Sequence, residues 1–345
     1  MISVILAAGM STRAYPLTLT RPKPLLRIAN KSLIEHNLEQ LKGISEKVIL
    51  VVGYKSEMIM KSLGTSYKGV EIVYVKQKGQ LGTANALQEA KKFIGKERFM
   101  VMMGDDLYSG KDIAECTKNE LSVMGKRTSN WQNFGVIVQK NSYLAEILEK
   151  PTSFVSDIVN SGMYILDSGI FEIISSLKKS KRNEYELTEA ISKMASARKI
   201  KVVYCSNWMP IGYPWDMLKA DMEIRKGKSS IGDKCIIDGE VHNSSVGKGC
   251  VIKGSVSDSI IGDYCTVHSG SEIECSVLGD NIEFTGKMAS GKKIDIIVNE
   301  KRICVENMGS VIGDGCVLKE VSVEPGTLVW PNTKLSNEKI EGIVK

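Results

Sequence analysis

Histidine is scarce in this chain, with three in 345 residues: His36, His242 and His268. Three scattered imidazoles argue against a histidine-built metal centre. The eight cysteines include no Cys-x-x-Cys pair, which argues against a zinc ribbon and a redox dithiol. Lys and Arg outnumber Asp and Glu by 46 to 40, and aromatics are only 6%. No dense basic stripe with interleaved aromatics appears, so no nucleic-acid partner is expected. No apolar run reaches the length of a membrane span. The opening apolar stretch is too short for a signal peptide and lacks a basic lead. The expectation is a cytoplasmic protein with no membrane partner. The common phosphate loops are missing too. No G-x-G-x-x-G follows the first strand, and the nearest approach to G-x-x-x-x-G-K-[ST] places Lys293 where Ser or Thr is needed.

What is present begins at residue 2. Residues 2–7 form an apolar run that reads as a buried parallel strand. It ends in Leu6-Ala7-Ala8-Gly9, small residues that let backbone approach a ligand. Ser11, Thr12 and Arg13 follow, and Lys23 sits between Pro22 and Pro24. Open α/β sheets bind ligands at the carboxyl ends of their strands. Exposed backbone N–H groups and two cations suit a polyphosphate. On residue types alone, the stretch is equally a strand, a loop and two surface cations.

Downstream, apolar spacing predicts helices over 33–41 and from near Thr83 to 93, and a third over 184–197. Ser56 is placed to cap another, running to residue 63. Strands are expected at 47–52, 71–75, 98–103, 134–138 and 201–204. This alternation predicts an α/β domain with a mostly parallel, Rossmann-like sheet covered on both faces. Two strand ends carry candidate chemistry. Gln77 can read a pyrimidine edge, Gly82 lets the chain pass close to a base, and Thr83 can cap the next helix. Asp105, just past a buried strand, can hold Mg²⁺ near phosphate. Asp106 is expected to cap or to face solvent. An ordinary turn accounts for either stretch as well.

From Ser229 the texture changes. Gly-Asp or Gly-Lys corners follow Ile231, Val246, Ile261, Leu278 and Ile312, the first three spaced by fifteen residues. Apolar residues recur six apart, as in Ile231/Ile237 and Val317/Val323/Val329/Leu335. This internal repeat predicts a β-helix of hexapeptide type, with the repeated cysteines as small core residues. Residues 286–307 break the repeat and read as a projecting loop or hairpin.

The stretch from Leu6 to Pro24 resembles the signature of the sugar-1-phosphate nucleotidyltransferases, L-A-A-G-x-x-T-R-x-x-P-L-T-x-x-x-P-K-P. Further likenesses follow in order. They are Q-x-x-Q-L-G-T-A from Gln77, G-D at Asp105, E-K-P from Glu149, N-x-G-x-Y from Asn160, and W-x-x-x-G-x-P-W-D ending at Asp216. The resemblance implies a nucleotidyltransferase domain over 1–227 and a left-handed β-helix over 228–345. It implies that Leu6, Ala7, Ala8, Gly9, Gln77, Gly82 and Thr83 bind nucleotide. Gly135, Glu149, Lys150 and Asn160 would bind the sugar phosphate, Asp105 and Asp216 Mg²⁺, and Arg13 and Lys23 would be catalytic. The implied reaction joins an NTP to a sugar 1-phosphate, releasing pyrophosphate. UTP is favoured, since Q-x-x-Q-L-G-T-A is closest to enzymes that handle it. Guanylyl transfer to mannose 1-phosphate and thymidylyl transfer to glucose 1-phosphate are the alternatives. Others are a second, acetyl-transferring activity in the β-helix, opposed by the missing His near 309–325, and a non-catalytic regulatory subunit. A homo-oligomer joined through the β-helix is expected.

Overall fold

The computed structural model describes residues 1–345. By spatial contact the chain divides into two units. The first is Met1–Gly9 with Ile34–Pro210, and the second is Met10–Leu33 with Ile211–Lys345. The break after Gly9 falls inside the signature stretch.

The first unit is built on a ten-stranded sheet. Its strands are β1 (Ile2–Ala7), β2 (Lys47–Val52), β3 (Ser66–Tyr67) and β4 (Val70–Lys76). Then come β5 (Phe99–Met103), and, past a separate short strand β6 (Asp106–Tyr108), β7 (Ser122–Arg127) and β8 (Gly135–Lys140). The remainder are β9 (Tyr143–Glu149), β10 (Ile158–Leu166) and β11 (Lys201–Tyr204). Their spatial order is β8-β9-β11-β7-β10-β5-β1-β2-β4-β3. The block β5-β1-β2-β4 is parallel, and β10 runs antiparallel to β5 and β7. β1 is buried from Ser3 to Ala7 with no polar alternation, the mark of a strand covered on both faces. The helices are α1 (Leu33–Gln40), α2 (Ser56–Leu63), α3 (Thr83–Ala90), α4 (Gly110–Thr117), α5 (Ile170–Ser175) and α6 (Leu187–Ala195). The core joins Val4, Ile49 and Val101 of the central strands with Leu87 of α3 and Ile191 of α6. Phe99 stacks on Phe171 with ring centroids 5.7 Å apart.

Two capping expectations are corrected. Ser56 is the first residue of α2, not its cap, because Lys55 takes the cap position in a left-handed conformation. The Thr83 hydroxyl does not cap α3. It accepts the Leu187 amide at 3.1 Å and so serves the start of α6.

The second unit holds α7 (Pro214–Arg225) and the β-helix. Seven short strands stack in parallel: residues 230–231, 245–246, 260–261, 277–278, 311–312, 328–329 and 343–344. The other two faces of each turn pair in the same parallel sense, 236–237 with 251–252 and 240–242 with 255–257. Cys250, Cys265 and Cys316 are buried in this core beside Ile252, Val267 and Leu318. Ile231 and Ile237 are not core residues, since they lie in the first turn and are 43% and 37% exposed. The interruption is a hairpin of β13 (Gly291–Val298) and β14 (Lys301–Met308), antiparallel throughout. Its turn residues Asn299 and Glu300 both have positive φ, as a tight two-residue hairpin turn requires.

Candidate active site

In the first unit, the end of β1 is pinned by neighbouring strand ends. The Gly104 amide donates to Leu6 O at 2.9 Å, and the Tyr54 amide to Ala8 O at 3.1 Å. A Cβ on Gly53 would stand 2.7 Å from Ala8 O, so only glycine admits this approach. Gln80 Nε2 also donates to Ala8 O, at 3.0 Å. At Gly9 a Cβ would meet nothing within 4 Å, and the residue is exposed.

Gln77 is buried at the end of β4. Its Nε2 donates to Gly82 O at 3.1 Å and to Asn85 Oδ1 at 2.9 Å. Both amide hydrogens are thus spent inside the unit, which leaves Oε1 as the acceptor. Gly82 has φ +95°, and a Cβ there would lie 2.6 Å from Tyr185 O. Asp105 follows β5 after one residue, Gly104. Asp106 neither caps a helix nor stands free, because its Oδ2 accepts Trp208 Nε1 at 3.1 Å. That bond ties β6 to its antiparallel partner β12 (Trp208–Pro210).

The four sugar-site candidates lie on β8, β9, β10 and the turn after β9. Gly135 and Glu149 are directly opposed in the β8–β9 register. Glu149 Oε1 accepts the Thr188 hydroxyl at 3.1 Å. Lys150 starts the turn with φ 44°, its amide on Phe134 O. Asn160 Nδ2 donates to the Tyr164 hydroxyl at 2.6 Å, and its Oδ1 accepts the Gly162 amide at 3.2 Å. Tyr164 closes the N-x-G-x-Y motif, in which the resemblance assigns a role to Asn160 alone. Burial above all pushes its phenol pKa up; the Asn160 bond opposes this and the Glu149 carboxylate adds to it. Its hydroxyl therefore stays protonated where it meets Asn160.

The second unit brings together Arg13, Lys23 and Asp216. Three single-turn 3-10 segments, Thr12–Ala14, Leu17–Leu19 and Lys23–Leu25, fold the cation-bearing stretch tightly. The Thr18 hydroxyl donates to Ser11 O at 2.9 Å and braces the first bend. Lys23 is only 2% exposed. Arg13 lies over the Tyr213 ring, 5.4 Å from its centroid, and Tyr213 stacks on Trp215 at 4.6 Å. Asp216 sits at the third position of α7, where its Oδ2 accepts the amides of Gly212 and Tyr213, both at 2.8 Å. Burial raises its pKa from the ordinary 3.8, against those two amides and the charges of Lys23 and Arg13.

No group of three or more His, Cys, Asp and Glu side chains converges anywhere in the chain. A Mg²⁺ site does not require one, because the ion takes one or two carboxylates and completes its shell with phosphates and water. Asp216 fits that donor set. Both cap amides go to one oxygen, so the other takes no part in the cap.

A mixed, largely buried sheet with polar strand ends, joined in sequence to a hexapeptide β-helix, defines the class of hexapeptide-bearing nucleotidyltransferases. Residues 2–227 match the Nucleotidyl transferase family and residues 229–314 match the GlmU-like C-terminal hexapeptide. The chain belongs to the sugar-1-phosphate nucleotidyltransferase family. It is 38% identical over 229 residues to the "Bifunctional protein GlmU" of Methanococcus vannielii, covering 64% of this chain and 54% of that one. The chain thus spans about half the length of that relative. It is 33% identical over 238 residues to the "UTP--glucose-1-phosphate uridylyltransferase AglF" of Haloferax volcanii, covering 66% of this chain and 97% of that one. Among solved structures, a UDP-glucose pyrophosphorylase complexed with UDP-glucose superposes with a TM-score of 0.60 at 25% identity, covering 65% of this chain and 98% of that one. No helix is long and apolar enough to cross a membrane.

Proposed function

We propose that this chain transfers a nucleotidyl group from an NTP, UTP by preference, to a sugar 1-phosphate, with Mg²⁺ as cofactor. On this reading, residues 1–227 carry the reaction and residues 228–345 form a β-helix that joins copies of the chain. The observation that carries it is the grouping of Arg13 and Lys23 around the buried Asp216 carboxylate.

The reaction brings together two strongly anionic substrates. An oxygen of the sugar phosphate attacks the α-phosphorus in line, and pyrophosphate leaves with the electron pair of the broken P–O bond. The nucleophile is already an anion, so no general base is needed. Positioning and electrostatic stabilisation supply the rate enhancement. Arg13 holds the β- and γ-phosphates and the departing pyrophosphate. Its guanidinium lies over the Tyr213 ring. Lys23 neutralises charge beside the α-phosphate. Asp105 and Asp216 would hold Mg²⁺, which when bound offsets the charge of the α-phosphate and the sugar phosphate.

Leu6 to Gly9, with Gly82 and Thr83, line the nucleotide. The Gln77 Oε1 acceptor matches the N3–H donor of uracil or thymine and equally the N1–H of guanine, so the preference for UTP rests on the Q-x-x-Q-L-G-T-A likeness. Gly135, Glu149 and Asn160 hydrogen-bond the sugar, and Lys150 meets its phosphate. The exposed apolar residues Ile231, Ile236 and Ile237 on the first β-helix turn support association of copies.

The test is pyrophosphate release across five NTPs and a panel of sugar 1-phosphates with Mg²⁺. Turnover with UTP above the other NTPs is the expected result. No reaction with any pair would overturn the enzymatic reading, and a preference for GTP or dTTP would overturn the choice of base.

A further inference from the structure

Three aspartates of the β-helix share one arrangement. Asp263, Asp280 and Asp314 stand at the Gly-Asp corners of three successive turns. In each, Oδ1 accepts a backbone amide from the turn before: Lys248 N for Asp263 at 3.0 Å, Asp263 N for Asp280 at 2.8 Å, and Asp280 N for Asp314 at 2.8 Å. Their carboxylates meet two arginines, Arg21 of the signature stretch and Arg27 three residues beyond it. Arg27 meets Asp263 Oδ2 at 2.8 Å, and its second nitrogen meets Asp280. Arg21 meets Asp280 Oδ2 at 2.8 Å and Asp314 Oδ2 at 2.5 Å. The Thr20 hydroxyl joins Asp314 Oδ2 at 2.6 Å.

These pairs bracket Lys23 in sequence, two residues before it and four after. They are shielded, with Arg21 13% exposed and Asp280 and Asp314 18% each. Such shielding strengthens charge–charge attraction relative to a solvated pair. Further bonds continue the same attachment. The Ala29 amide donates to Asp221 Oδ1 at 2.7 Å, and Asn30 Nδ2 to Val246 O at 3.0 Å. The first Gly-Asp corner, Asp233, is exposed and makes no such pair. At the second corner the residue is Lys248. The repeat therefore carries an arginine-gripping carboxylate only on the turns that face Arg21 and Arg27.

We propose that Asp263, Asp280 and Asp314 are positioning residues for nucleotidyl transfer. They hold the 3-10 turn of Lys23 in its working geometry through Arg21 and Arg27. The β-helix is then part of the transfer machinery and not only a platform for association. The inference rests on the reading that Lys23 acts on substrate phosphate. A displacement of about 1 Å in a group that must meet a reacting centre costs on the order of 100-fold in rate.

The test uses full-length Asp280→Asn and Asp314→Asn, singly and together, with Asp233→Asn and Lys23→Ala as references. Asn keeps the Oδ1 acceptor for the turn before, so the repeat still folds, and it removes the charge that grips arginine. Turnover of UTP with N-acetylglucosamine 1-phosphate and glucose 1-phosphate is measured, with hydrogen exchange of each variant. The double variant is expected to lose 10- to 100-fold in kcat, with smaller changes in KM. Amides in residues 10–33 exchange faster, while those of 47–52 and 311–318 keep their protection. Asp233→Asn behaves as wild type. Wild-type kcat and unchanged exchange of residues 10–33 in the double variant would overturn the positioning role alone, provided that Lys23→Ala is impaired. An active Lys23→Ala would overturn the underlying reading and the inference with it.

Discussion

The Asn299 side-chain amide donates to the Thr12 hydroxyl at 3.0 Å, joining residues 287 positions apart. Asn299 is the first turn residue of the β13–β14 hairpin, and Thr12 directly precedes Arg13. The hairpin therefore reaches back from the β-helix to the signature stretch within the second unit. A net hydrogen bond contributes about 0.5–1.5 kcal/mol. Asn299→Ala is expected to raise KM for the NTP by roughly 2- to 10-fold, with the melting temperature lowered only slightly. Steady-state kinetics with the NTP varied checks this, and an unaltered KM would show that the contact does not bear on the nucleotide.

Asp216 couples a helix cap to a charge. Its carboxyl holds a proton more tightly in the folded chain than in the unfolded one, because burial outweighs the two amides and the nearby cations. The stability linked to that proton is present below the unfolded value and is lost as pH rises through the folded value. At neutral pH the charge is therefore a net cost to folding. Asp216→Asn keeps one oxygen for both cap amides and removes the charge. The variant is expected to melt no lower than wild type at pH 7, while turnover falls roughly 10²- to 10³-fold, as for loss of one preorganised electrostatic group. Thermal unfolding and pyrophosphate release on the same sample separate the two roles.

Lys23→Ala and Asp105→Ala test the two kinds of charge assigned to the phosphates. Each is expected to lower kcat by roughly 10²- to 10³-fold while the far-ultraviolet circular dichroism is retained. Near-wild-type pyrophosphate release by either would remove that residue from the proposed chemistry.

The cysteines should divide by burial. Burial pushes the Cys116 thiol up to about 12, and the Cys205 and Cys316 thiols up to about 11. Cys304, on β14, is exposed. Thiolate is the reactive form. Iodoacetamide at pH 8 should therefore label Cys304 on the native protein and leave Cys116, Cys205 and Cys316 unmodified until denaturant is added. Peptide mass spectrometry gives the pattern directly.

Local pattern alone determined much of this protein. The run from Ile2 to Ala7 is a central strand because its unbroken apolar character can be satisfied only by cover on both faces. The fifteen-residue repeat gave away the β-helix because each turn reuses the same inward positions. The hairpin showed itself as a break in that rhythm. Tertiary structure decided what depends on distant partners. Residues 10–33 belong with the β-helix because Arg21 and Arg27 meet carboxylates more than 230 positions away. The Thr83 hydroxyl serves α6 and not its own helix, since the Leu187 amide is the donor within reach. Ile231 and Ile237 fit the repeat yet stay exposed, because the first turn has no turn beneath it. Periodicity reports which face of an element is apolar; only the folded chain supplies the partner that a charge or a hydroxyl meets.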